Sequence, residues 1–177
     1  FDHCFGDTSD QRAVFEEVEP VVESVLAGFN VCIFAYGQTG SGKTHTMQGG
    51  ADEAAGINPR ALRRLFDAVR EKREMAALGK GGKADDGWSY EVSVSYLEIY
   101  NEVLHDLLQP PPKKGEPRQL LEVGEHPTLG VHVKGLLERP VRCETDVLSL
   151  LAAGSHRRAT AATLMNDRSS RSHSIFV

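Results

Sequence analysis

A chain of 177 residues with a formal charge of −5 has room for one cored domain, not two comfortable ones, and its overall charge gives no electrostatic case for nucleic acid. Its 40% hydrophobic and 25% charged residues are an ordinary globular balance, and no apolar run reaches the roughly 18 residues of a membrane helix. Neither a polynucleotide nor a membrane is therefore an expected partner. Cys4, Cys32 and Cys143 are few, odd in number and without C-x-x-C spacing, which argues against a disulfide framework or zinc site and suits a reducing compartment. The chain starts on Phe1 and closes on the apolar run Ser174-Ile175-Phe176-Val177, so both ends read as cut and the chain as a fragment.

In chain order, Thr8 with Gln11 three residues on fits a capping box. Val14, Val18, Val21, Val22, Val25 and Leu26 then recur at helical spacing through Ala27, and Gly28 stands where a left-handed cap is expected. Pro20 should kink or divide that helix, because it removes a backbone donor. Val31 to Tyr36 is a short continuous apolar run, the pattern of a strand buried on both faces. A glycine-rich loop follows, and a helix opens at Lys43 or Thr44. Asn58 to Leu78 predicts a second helix with Leu62, Leu65, Phe66 and Val69 as its apolar stripe and its Arg and Lys residues as a solvated face. Gly79 to Gly87 is low in complexity and reads as a surface loop.

From Trp88 the period changes. Trp88, Tyr90, Val92, Val94 and Tyr96 alternate with polar residues, as in a strand with one wetter face. Asn101 to Leu108 predicts a short helix ended by Pro110-Pro111-Pro112. Leu120 to Val123 and Val131 to Val133 are short strand candidates. Glu144 to Arg157 predicts a helix with Val147, Leu148, Leu150 and Leu151 inward, and a last strand begins near His173. Strands alternating with helices indicate an α/β or mixed sheet with helices packed on its faces.

Gly37-Gln38-Thr39-Gly40-Ser41-Gly42-Lys43-Thr44 satisfies every required position of the phosphate-loop pattern G-x-x-x-x-G-K-[ST]. Small residues let consecutive backbone N–H groups turn inward into an anion nest, and the following helix adds its N-terminal dipole. Lys43 would reach the β- and γ-phosphates, and the Thr44 hydroxyl would ligate Mg²⁺. The bland reading is a flexible glycine turn with a solvated lysine. Its position between a buried-strand pattern and a helix start favours the phosphate site. A second cluster, Asn166-Asp167-Arg168-Ser169-Ser170-Arg171-Ser172-His173, offers hydroxyls and guanidinium groups to a terminal phosphate, its metal and an attacking water. Alone it would read as a polar loop. The N-K-x-D segment by which GTPases usually choose guanine is absent, which favours adenine.

Together GFNVCIFAYGQTGSGKTHTM (28–47), SYLEIYNEVLHDLL (95–108) and NDRSSRSHSIF (166–176) resemble three blocks of the kinesin motor domain, in that family's order. Phe1 to Phe5 resembles the strand before its first long helix. The resemblance covers nearly all of the chain except the loops at 79–87 and 110–118. It implies a P-loop NTPase fold of kinesin type, a mixed central sheet flanked by helices on both faces, here truncated. Residues 1–177 would be a partial motor domain, without the first strand and everything from switch II onward, since no D-x-x-G occurs.

The function so implied is an ATPase that couples hydrolysis of Mg-ATP to movement along microtubules in the cytoplasm. The resemblance assigns nucleotide binding to Gly37, Gln38, Thr39, Gly40, Ser41, Gly42, Lys43, Thr44 and His45, and Mg²⁺ ligation to Thr44 and Ser170. Asn166, Ser169, Ser170 and Arg171 would belong to switch I, with Arg171 bridging to a switch II glutamate. Residues 48–57 would interrupt the second helix as a loop. Lys134 and Arg139 match a segment that touches tubulin, though ordinary surface charge explains them equally well. The full-length chain would dimerise through a coiled coil outside these residues, and the isolated fragment would not hydrolyse ATP productively. The phosphate-loop half resembles minus-end-directed, C-terminal-motor kinesins, whereas 125–136 and 157–166 look closer to a plus-end transport branch. Competing readings are a kinesin-derived module that binds nucleotide or tubulin without turnover, and an unrelated P-loop kinase or GTPase.

Overall fold

The structure, a computed structural model, describes residues 1–77, 89–110, 120–128, 130–163 and 172–177. Its residues fall into two compact units, Phe1–Ser89 and Tyr90–Val177. The α/β class holds, with four α-helices and seven strands among the described residues.

In the first unit, helix α1 spans Gln11–Ser24. Its N-cap is Asp10, not Thr8: the carboxylate accepts from Ala13 N at 2.8 Å, so an aspartate immediately before the helix outcompetes the threonine two residues earlier. The helix runs through Pro20 undivided; the lost donor costs one bond that the flanking turns outlast. It tightens into a 3-10 turn at Val25–Ala27 and stops at Gly28, whose φ of 92° is the expected left-handed cap. Phe15 and Val22 are buried, while Val21 and Val25 stay exposed, so only part of the apolar stripe is covered.

Helix α2 spans Lys43–Met47 and α3 spans Ile57–Ala77. Val69 is buried in α3, and Leu62, Leu65 and Phe66 are half-buried, in line with the predicted stripe. The basic residues of α3 are not all a solvated face. Arg64 Nε lies 3.2 Å from Glu19 of α1, and the same guanidinium donates to Glu23, so it ties α3 to α1. Leu78, the predicted loop at 79–87 and Trp88 lie outside the described residues.

Two expected strands do not form. Residues 1–6 are irregular and exposed, and the apolar run Val31 to Tyr36 belongs to no strand, with Phe34 79% and Tyr36 95% exposed. A strand exists only through its ladder. Among the described residues no ladder includes either stretch, so apolar character alone does not make 31–36 a strand.

The second unit holds the strands: β1 (Val92–Val94), β2 (Tyr96–Tyr100), β3 (Val103–Asp106), β4 (Glu122–His126), β5 (Gly130–Lys134), β6 (Arg139–Val141) and β7 (Ser172–Phe176), with α4 (Glu144–Thr163) between the last two. They pair antiparallel in three small sheets, β1–β6, β3–β2–β7 and β4–β5. The single alternating run expected from Trp88 is thus split at Ser95 between two sheets. The predicted helix at Asn101–Leu108 is instead the turn and second strand of a hairpin. Asn101 and Glu102 take φ of 50° and 64°, the doubly left-handed two-residue turn that matches strand twist, and Val103 then pairs back on Tyr100.

The strand candidates near 120 and 131 become the β4–β5 hairpin, with Val123 opposite Val133. Helix α4 extends past the predicted Arg157, with Val147 0% and Leu151 7% exposed at its inner face and Leu148 and Leu150 half-buried. At its start, Asp146 accepts from Arg142 N at 2.9 Å, and that backbone bond holds the Asp146 carboxyl below its usual range. The core of the unit forms where α4 meets β2: Gly154 abuts the ring of Tyr96, which a Cβ would overlap. Tyr96 is 1% exposed and stacks edge-on against Phe176 of β7 at 5.6 Å.

Candidate phosphate-binding loop

The loop from Gly37 to Gly42 closes on itself through its own backbone and one side chain. Gly40 and Gly42 take φ of 81° and 94°, a left-handed region that residues with a Cβ enter at a cost. Gly42 is then the N-cap of α2, and Thr46 N donates to its carbonyl at 2.9 Å. Ser41 N donates to Gln38 O at 3.2 Å. Lys43 Nζ reaches back and donates to Gly37 O and Gln38 O, both at 2.7 Å. The lysine so ties the start of the loop to the helix that follows and fixes its ammonium at the loop. A left-handed glycine opening a helix, with a lysine in the first turn, is an arrangement that can cradle an anion on backbone N–H groups beside a cation.

Behind the loop, residues 48–56 form the interruption expected between the two helices. Gly49 bridges Ala55, Asp52–Ala54 is a 3-10 turn, and Gly56 N donates to Gln48 O at 3.0 Å. Arg60 of α3 clamps this loop, donating to Ala55 O and Glu53 O, both at 2.8 Å. The composition of α3 marked Arg60 only as surface charge; the two carbonyls it satisfies come from a turn that sequence alone left unspecified.

His45 sits on α2 two residues past the lysine. Its ring Nδ1 lies 3.2 Å from Gln11 Nε2, and its carbonyl oxygen accepts from the same nitrogen at 2.6 Å. The spacing from Thr8 suggests a capping box for Gln11; with Asp10 as the cap, its amide crosses to α2 instead.

Gly37, Gln38, Thr39, Gly40, Ser41, Gly42, Lys43, Thr44 and His45 are therefore gathered in one loop and helix start. Asn166, Ser169, Ser170 and Arg171 lie outside the described residues. Lys134 ends β5 and Arg139 opens β6, both exposed. The stretch between them is held by a residue the sequence did not single out: Asp106 accepts from Leu137 N at 2.8 Å and from Leu108 N at 2.7 Å. A lone aspartate within an expected helix carries no such signal.

The strand β7, which begins within the serine-rich cluster at Ser172, is also anchored. Arg158 of α4 donates to Glu98 of β2 at 3.1 Å and to Ser172 Oγ of β7 at 2.8 Å, and Glu98 is 1% exposed. Among the described residues, no helix is long and apolar enough to cross a membrane, and no group of three His, Cys, Asp or Glu could hold a metal. A magnesium ion carried on nucleotide phosphates needs no such group. One hydroxyl with phosphate and water oxygens would suffice, and Thr44 stands in the first turn of α2.

The family model described as the kinesin motor domain matches residues 1–177. Human kinesin-like protein KIF14 is 43% identical over 177 residues, covering 99% of this chain and 10% of the relative. Kinesin-like protein KIN-14Q of Arabidopsis thaliana is 44% identical over 181 residues, covering 99% of this chain and 14% of the relative. Protein claret segregational of Drosophila melanogaster is 41% identical over 175 residues, covering 99% of this chain and 23% of the relative. The chain thus spans between a tenth and a quarter of these curated relatives. A solved structure of KIF14 residues 391–772, a dimer in its two-heads-bound state with AMP-PNP and in complex with a microtubule, matches with a TM-score of 0.77 at 41% identity. That match covers 98% of this chain and 44% of the solved one.

Proposed function

The chain belongs to the kinesin motor-domain family, and on that premise we propose that it is the nucleotide-binding part of a longer motor domain that hydrolyses ATP to move along microtubules. The observation that carries the reading is the loop itself. Gly40 and Gly42 are left-handed and Lys43 is drawn onto the Gly37 and Gln38 carbonyls, a defined backbone shape with a cation at hand that would suit a phosphate and would leave less ordering to the binding event.

In this reading the β- and γ-phosphates take the loop N–H groups, and Lys43 exchanges its carbonyl partners for phosphate oxygens. Thr44 would hold Mg²⁺, which when bound supplies charge neutralisation at the β- and γ-oxygens. Ser170 would join Thr44 at the metal. Ser169 would contact the γ-phosphate, Asn166 would help place the nucleotide, and Arg171 would bridge to a switch II glutamate, which together position the attacking water. Lys134 and Arg139 are exposed and would offer cationic charge to tubulin. The protein would then work in the cytoplasm, on the microtubule cytoskeleton, with dimerisation supplied by segments outside this chain.

The test is the affinity of the full-length protein for Mg-ATP. Lys43→Ala should weaken it by more than about a hundredfold, because phosphate charge is left uncompensated in a preformed cradle. Equilibrium titration reads this directly, and tight binding with ordinary turnover in the variant would overturn the assignment.

A further inference from the structure

We infer that Gln11 is a positioning residue for the nucleotide site: it holds the ring of His45 in the tautomer that carries its proton on Nε2. The part that concerns nucleotide rests on the phosphate-loop reading above; the tautomer does not.

Gln11 opens α1 and is 8% exposed. It makes no capping contact of its own helix, because Asp10 already serves the first turn. Its side chain instead crosses to α2. The terminal nitrogen lies 2.6 Å from His45 O and 3.2 Å from His45 Nδ1. A carboxamide can be turned over in a structure, but here chemistry fixes the choice. A backbone carbonyl only accepts, so the atom facing it must be the NH₂ group. That nitrogen has no capacity to accept in turn, so the contact at Nδ1 is a hydrogen bond only if Nδ1 is the acceptor. The ring proton is then on Nε2.

The carbonyl bond has its own logic. α2 is five residues long, so His45 O is among the terminal carbonyls for which the helix has no donor. One buried amide therefore satisfies a helix end and orients the ring on the same residue. His45 itself is exposed. It presents a ring held from one edge, with an N–H donor at the other, beside the loop that would hold the phosphates. A nucleotide bound at that loop would have as its neighbour an imidazole that Gln11 keeps from rotating and exchanging tautomers, and a binding titration reads the effect on its affinity.

The experiment uses the full-length protein with ¹⁵N-labelled histidine rings, the His45 signals being assigned by their loss in His45→Ala. The nucleotide-free wild type should show the Nε2–H tautomer. Gln11→Met keeps the length without donors and should give a tautomer mixture. Gln11→Glu replaces the donor by an acceptor and should favour Nδ1–H. Titration with a fluorescent ADP analogue should show binding about three- to tenfold weaker in Gln11→Met, the size of one lost neutral hydrogen bond. In a His45→Ala background the same substitution should cost much less.

An Nδ1–H tautomer in the wild type would overturn the inference, as would a tautomer unmoved in both variants. An undiminished affinity penalty in the His45→Ala background would reduce Gln11 to a structural tie and overturn it too. If Lys43→Ala leaves nucleotide binding intact, the phosphate-loop reading fails on its own account, while the ring spectra still decide the role of Gln11.

Discussion

The phosphate loop and the β3–β2–β7 sheet are stabilised in opposite ways. Every contact that shapes the loop is made within a few residues: Lys43 reaches back to Gly37 and Gln38, and Ser41 N to Gln38 O. In the sheet, Leu97 faces Ile175, and the charge pair that closes it joins Glu98 to Arg158, 60 residues apart. The loop is a local object by its hydrogen bonds among the described residues. The sheet is a consensus among distant segments, each of which is a strand only because the others are present.

The contrast can be broken from the sheet side first. Arg158→Ala should destabilise the protein by about 2–3 kcal/mol, because it removes the charged hydrogen bond that the guanidinium gives the Glu98 carboxylate, 1% exposed. Denaturant unfolding checks this as a fall in midpoint at unchanged slope. A loss under about 1 kcal/mol would mean that the pair is solvated in practice and that β7 is held by its ladder alone. A local contact should cost less. Asp10→Ala removes the side chain that accepts from Ala13 N, and should cost about 1 kcal/mol by the same measurement, as N-caps generally do. A larger penalty would show that α1 depends on its cap more than on the burial of Phe15 and Val22.

The same division explains how much the sequence disclosed. The phosphate loop, α3, α4 and the cap at Gly28 were legible because glycine placement and 3.6-residue periodicity are local signals. The hairpin at 101–102 was missed because its turn uses Asn-Glu in place of a glycine pair, and Glu is an unusual residue at φ 64°. The sequence therefore predicts a helix at Asn101 to Leu108, where Val103 to Asp106 is the second strand of a hairpin. Val31 to Tyr36 was misjudged in the other direction: its composition is that of a buried strand, but burial comes from neighbours that composition does not provide. At the site, Lys43 and Thr44 were named from their motif. Gln11 was noticed for the wrong reason, and Arg60 and Asp106 act through backbone groups whose positions only the fold defines. The roles given to Asn166, Ser169, Ser170 and Arg171 rest on the family resemblance.

The most direct test of the central claim is steady-state phosphate release from Mg-ATP by the full-length protein, measured as polymerised tubulin is titrated in. The account predicts a rate that climbs with microtubule concentration to a plateau, and that is lost in Lys43→Ala. A rate indifferent to microtubules, in a protein that binds Mg-ATP normally, would contradict it.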